Sequence, residues 1–140
     1  MGEEKYILLV FLTGAMATDL KNGKIYNGWI LPAFLAGLLW RAASAGIRGA
    51  PGILLSILLP LALLLLFYGI GGIGAGDVKL LVTSSVFLPL RSFFTCLGAS
   101  FLIAAFLSAI LLFRRRERGL RIHFAVPVGI GFILHLGGYY

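Results

Sequence analysis

Two residues in this sequence combine an acid–base side chain with an unusual setting. Asp19 and Asp77 are acidic residues at the edges of long apolar runs, whereas Glu3 and Glu4 lie at the N-terminus and Glu117 sits inside an arginine run. An ionisable group at the end of an apolar span is expensive and therefore marks a functional position. Two carboxylates held close together cannot both ionise easily, so one keeps its proton while the other is charged. Such a pair can activate a water as general base and protonate a leaving amine as general acid. This is the chemistry of aspartic proteolysis, and no metal or other cofactor is expected for it.

The approach to Asp77 suits that role. Residues 69–77 read Gly-Ile-Gly-Gly-Ile-Gly-Ala-Gly-Asp, with five glycines in nine residues. Glycine lets backbone approach a neighbour or ligand closely. An unwound stretch in a membrane is tolerated only where it lines protein or water, and an extended substrate could pair with it. The alternative is that these glycines only allow tight helix packing.

The elements that must position the two aspartates follow from composition. The chain has 140 residues, of which 60% are hydrophobic and 12% charged, and its mean hydropathy is +1.02. Soluble domains are about one-quarter charged, and one of this size could not bury so much apolar surface. The expectation is an all-α integral membrane protein with no separate soluble domain. Apolar runs predict a single membrane domain of six transmembrane helices, at about 6–20, 26–45, 51–73, 78–90, 92–113 and 122–140. Joining the fourth and fifth runs would make one helix of roughly 54 Å, against a hydrocarbon core of about 30 Å, so a break is placed at Pro89–Arg91. Glu3 and Glu4 make a poor signal-peptide n-region, so the first run is read as a span and not as a cleaved leader.

Charge sets the expected orientation. The net charge is +7; in such a chain this excess reads as topology, not as nucleic-acid binding. The first, third and fifth loops hold Lys21, Lys24, Lys79, Arg114, Arg115, Arg116, Arg118 and Arg121, against Lys5, Arg41, Arg48 and Arg91 on the other side. The positive-inside rule places the richer side in the cytoplasm and both termini outside. Asp19 and Asp77 then share the cytoplasmic face. The single cysteine, Cys96, excludes an internal disulfide or a Cys-rich zinc site. His123 and His135 lack metalloprotease spacing, and neither a Walker A motif nor GxGxxG is present.

With these residues in view, the chain resembles the type IV prepilin peptidases, a family of GxGD membrane aspartyl proteases. Gly74-Ala75-Gly76-Asp77 matches the GxGD motif, and Val78-Lys79-Leu80 continues it in the manner of that family. Asp19 through Asn27 resembles the family's first motif, an Asp, a basic stretch and a Pro-Asn pair, with Tyr26 where Pro is usual. His123-Phe124-Ala125-Val126-Pro127 resembles its late motif. The resemblance implies catalysis by Asp19 and Asp77. It also marks Gly74, Gly76, Lys79, Asn27 and Pro127 as motif or substrate-binding positions. It implies cleavage of the leader of a prepilin-like protein partner at the cytoplasmic face of a prokaryotic plasma (inner) membrane. Bifunctional members carry an extra cytoplasmic segment, often with paired cysteines. This chain lacks one and is similar to the short, peptidase-only branch serving Flp/Tad-type pili or archaeal flagellins, so N-methylation is not expected.

Other residues have plainer readings. Lys79 could tune the Asp77 carboxylate but is expected to snorkel to lipid headgroups; Arg114, Arg115, Arg116 and Arg118 could recruit anionic lipid but are expected to anchor topology. Trp29, Trp40, Tyr139 and Tyr140 read as interface anchors. Asn27 is expected to order its turn through local backbone, and His123 to be an interfacial histidine. Two rival functions use the same residues. A small ion or proton-coupled transporter would use the aspartates as a cation path, and a non-catalytic pilus-assembly protein would bind pilins without cutting them.

Overall fold

The computed structural model describes residues 2–115 and 124–138. The described chain is helical: α1 (Glu3–Asn22), α2 (Asn27–Ala45), a 3-10 turn (Ile47–Gly49), α3 (Ala50–Gly69), α4 (Ala75–Phe87), α5 (Leu90–Arg115) and α6 (Ala125–Leu136). Three segments are long and apolar enough to cross a bilayer: Asn27–Ala45, Ile47–Gly69 and Leu90–Leu111. Their outward side chains include Leu31, Leu35, Leu54, Leu58, Leu66, Leu102 and Phe106, an apolar exterior suited to lipid.

α4 is the centre of the bundle. It packs against each of the other five α-helices. Val78, Leu80, Leu81, Thr83, Ser84, Ser85, Val86 and Phe87 are all buried, and beyond the first turn only Lys79 is exposed, so little of the helix is left to lipid. Its 13 residues give only about 20 Å of helix. The inward serines satisfy themselves: Ser84 Oγ donates to the Leu80 carbonyl at 2.9 Å and Ser85 Oγ to that of Val82 at 2.8 Å.

The last carbonyls of α4 are orphans by helix geometry. Arg41, from the last part of α2, meets them. Its Nη1 donates to the carbonyls of Val86 at 3.0 Å and Leu88 at 3.1 Å, and to the hydroxyl of Ser56 on α3 at 3.2 Å. A cation at a helix C-terminus is favourable on dipole grounds as well. In the sequence Arg41 counted only as a topology charge; in the fold it joins α2, α3 and α4.

Close approaches bring α1 and α6 in. A Cβ at Gly14 of α1 would collide with the Trp29 indole, whose N–H donates to the Phe11 carbonyl at 3.0 Å. Trp29 therefore couples α1 to α2 in addition to lying half-exposed. Trp40 is also engaged, donating to Glu4 at 3.1 Å. On α6, a Cβ at Gly129 would collide with Met16 Sδ, and one at Gly131 would lie 2.6 Å from Ser100 Oγ on α5.

The helices differ from the apolar runs at their ends. α1 begins at Glu3 and continues to Asn22, because Gly23, with φ 62°, supplies its left-handed cap. α3 stops at Gly69 and not at Ile73, because Gly71 turns the chain with φ 74°. The break after α4 falls at Leu88–Pro89, a residue or two before the expected point. α6 covers 12 residues, about 18 Å, against the expected run of 122–140. Arg116, Arg118, Arg121, His123, Tyr139 and Tyr140 lie outside the described residues.

Replacing Arg41 by Met keeps the bulk and removes the cap. The expected loss is about 2 kcal/mol, typical of hydrogen bonds to a charged group, seen as a lower unfolding midpoint in detergent. Arg41→Lys should recover part of it.

Candidate active site

The site is assembled at one end of the bundle, where α1 ends, α2 begins and α4 begins. Asp19 lies four residues before the α1 cap, and its backbone carbonyl accepts the Gly23 N–H at 2.7 Å. The chain then turns through residues 23–26 into α2, so that Asn27 stands at the head of the next helix. On the other side, Gly74 is the extended N-cap of α4 and Asp77 lies in its first turn. Asp77 Oδ2 accepts the Gly74 N–H at 3.2 Å. The Asp77 N–H returns to the Gly74 carbonyl at 3.1 Å. A Cβ at Gly74 would stand 3.1 Å from Asp77 Oδ2, closer than such a contact normally comes. The glycine of the motif thus lets the carboxylate fold back on its own helix start.

Both aspartates line one cavity of about 1000 Å³. Gly74, Gly76, Asn27 and Lys79 line it too. Of the motif positions singled out from the sequence, Pro127 is the exception. It is buried within α6, and the late stretch reaches the cavity through Phe124 instead. Asp19 is only 8% exposed, and its Oδ2 is buried with no hydrogen-bond partner among the described residues. Such an orphaned acceptor costs about 1–3 kcal/mol; a water, a shared proton or a substrate N–H in the cavity would relieve it.

The opposite wall was not legible beforehand. It consists of Phe101, Ala104, Ala105 and Ser108 of α5, which share one helical face by their spacing. Phe101 stacks toward Phe124 with centroids 5.4 Å apart and toward Phe67 of α3 at 5.6 Å. The cavity therefore has a polar side carrying the two carboxylates and an apolar side of aromatic and small residues. The glycine loop Gly71–Ile73 closes its rim.

The side chains of Lys79 and Asn27 pair with each other, so the Asn27 amide oxygen is turned to another helix and not to its own turn. Lys79 Nζ donates to Asn27 Oδ1 at 3.0 Å, tying the start of α4 to the start of α2. Both side chains line the cavity, so the two helix starts are joined beside it.

Asp77 stands at the head of α4, ahead of its apolar stretch. Burial pushes its carboxyl from the ordinary 3.8 up to about 6; the Gly74 N–H opposes this rise and the charge of nearby Asp19 adds to it. A helix N-terminus favours the anion, yet here burial outweighs it. Among the described residues no cluster of three or more His, Cys, Asp and Glu assembles at a metal-binding spacing.

A carboxyl that binds its proton more tightly folded than unfolded makes the fold most stable in acid. Stability is then lost as pH rises from about 4 through about 6. Asp77→Asn should remove that slope. Its unfolding midpoint should match wild type near pH 4 and exceed it near pH 8, as thermal unfolding across pH will show.

Comparison with known proteins adds one finding. The family model described as the type IV leader peptidase family matches residues 6–112. The match contains Asp19, Asn27, the glycine loop, Asp77 and Lys79, and it ends before Phe124. No curated protein and no solved structure was found to match. A match over most of the chain, enclosing the whole polar side of the cavity, leads to one conclusion: this chain belongs to the type IV leader peptidase family.

Proposed function

We propose that this protein is a membrane aspartyl endopeptidase that cleaves the leader peptide of a prepilin or prepilin-like protein. The observation that carries the reading is the convergence of Asp19 and Asp77, 58 positions apart in the chain, on one cavity. Family membership supports a peptidase, and three membrane-capable helices support a membrane setting.

The chemistry runs through the two carboxylates and a water. The ionised Asp takes a proton from the water, whose oxygen attacks the scissile carbonyl carbon. The protonated Asp donates to the carbonyl oxygen, giving a neutral tetrahedral diol. Collapse of the diol breaks the C–N bond as a proton passes to the leaving amine. Both products leave and the pair again holds one proton. The buried Asp19 Oδ2 is an acceptor for that proton or for the water. Along the rim the N–H groups of Gly71, Gly72 and Gly74 are engaged within the protein, so a substrate backbone would pair with the Ile73 N–H and the carbonyls of residues 71–73. The apolar wall of Phe101, Ala104 and Ala105 suits the hydrophobic segment that follows a prepilin leader.

Orientation follows from charge. The side richer in Lys and Arg faces the cytoplasm, with the cavity on that side, six helices in a prokaryotic plasma membrane and both termini outside. The α1–α2 connection is only residues 23–26, with no inserted segment to serve methylation. The product is expected to carry an unmodified N-terminus.

The test is cleavage of a prepilin-like substrate in vesicles. Asp19→Asn and Asp77→Asn should each insert normally and lower cleavage about a thousandfold. Either variant cutting at near the wild-type rate would end the proposal. Wild-type kcat/KM should fall as pH rises through about 6, where the free pair loses its proton. The midpoint in kcat should lie higher, because bound substrate desolvates the pair further.

A further inference from the structure

Lys79 poses a problem that the dyad reading does not solve by itself. It lies two residues after Asp77 in the first turns of α4, and both side chains line the same cavity. A cation within about 4–6 Å of a carboxylate lowers its pKa by about 1–3 units. A Lys79 ammonium free to lean inward would strip the shared proton from the pair. A midpoint moved one unit toward acid would cut about tenfold the fraction of the pair still carrying its proton at neutral pH, and with it the acid half of the mechanism.

The ammonium is held elsewhere. Its hydrogen bond goes to Asn27 Oδ1 at 3.0 Å, and neither aspartate pairs with it. The acceptor is a neutral amide on a different helix. A carboxylate at that position would hold the lysine more strongly but would add a third negative charge to the cavity. The remaining charged group on the cavity wall is Lys24, in the α1–α2 turn. The other described elements that line the cavity, the glycine loop, α5 and Phe124, present no titratable side chain to the pair.

We propose that Asn27 is a positioning residue that parks the Lys79 ammonium away from Asp19 and Asp77, so that the pair keeps the proton its chemistry needs. This rests on the two-aspartate reading of the site. The Asp77 carboxyl, raised to about 6 with a lysine two residues away, is what a parked cation leaves behind. Asn27 is exposed, so its replacement should leave the bundle intact.

The experiment compares wild type, Asn27→Ala, Lys79→Met and the double variant. Two readouts are taken across pH: the rate of leader cleavage, and the carboxyl carbon resonance of Asp77 in labelled protein. With Asn27→Ala the released lysine should move both midpoints toward acid by about one unit, and cleavage at pH 7 should fall about tenfold with KM unchanged. Adding Lys79→Met should return both midpoints to the wild-type value or above it. Asn27→Ser, whose acceptor is shorter, should show the same shift as Asn27→Ala. A plain structural tie predicts something else: Asn27→Ala, Lys79→Met and the double variant equally slow, with unmoved midpoints. Unmoved midpoints in Asn27→Ala, or a shift that survives Lys79→Met, would overturn the proposal. The resonance needs no substrate. An Asp77 resonance that shifts in Asn27→Ala as described, in a protein whose wild type cuts no leader, would refute the peptidase reading and leave the parking role standing.

Discussion

The enclosure of α4 is the constraint on which the rest of the structure depends. A helix of 13 residues packed against five others has little surface left for lipid, so it is free to carry serines, a threonine and, at its head, an aspartate. Its two ends are treated oppositely. At the tail, Arg41 satisfies carbonyls that would otherwise be orphaned. At the head, a glycine loop leaves the backbone unwound and Asp77 folds back on the Gly74 N–H. The tail is fixed by charge and the head is left open to a cavity. A bundle with a lipid-exposed fourth helix would have had to spend those polar positions on leucine.

Burial also sets the electrostatics of the cavity. Asp19 is nearly enclosed and one oxygen lacks a partner, while Asp77 is pushed to hold its proton. Two carboxylates in this setting are costly to ionise together, which is the property that acid–base chemistry at a peptide bond requires. The same enclosure magnifies any stray charge nearby. That is why the partner chosen by Lys79, a neutral amide on another helix, carries consequences well beyond a single hydrogen bond.

Much of the site was legible in the sequence because rare residues in an apolar chain stand out. Asp19 and Asp77 were conspicuous, and the glycines before Asp77 announced an unwound segment. The helix ends were less legible, since Gly23 and Gly71 act through backbone conformation that composition does not reveal. The α5 wall was invisible for a different reason. Phe101, Ala104, Ala105 and Ser108 lie on one face of a helix that is apolar all round, so nothing distinguishes that face from those turned to lipid. Arg41 was read as a topology charge and Lys79 as a charge seeking headgroups. In the fold each found a backbone or side-chain acceptor on another helix, and only tertiary structure brings those acceptors within reach. Pro127 packs inside α6, and the same late stretch reaches the cavity through Phe124, three residues earlier.

The central claim is that Asp19 and Asp77 act as one unit on one water. A kinetic double-variant cycle tests it directly, with leader cleavage measured for Asp19→Asn, Asp77→Asn and the two together. Groups that act as a unit are strongly non-additive, so the double variant should be no slower than either single one. Losses that multiply would mean that the two aspartates work independently, and would contradict the account.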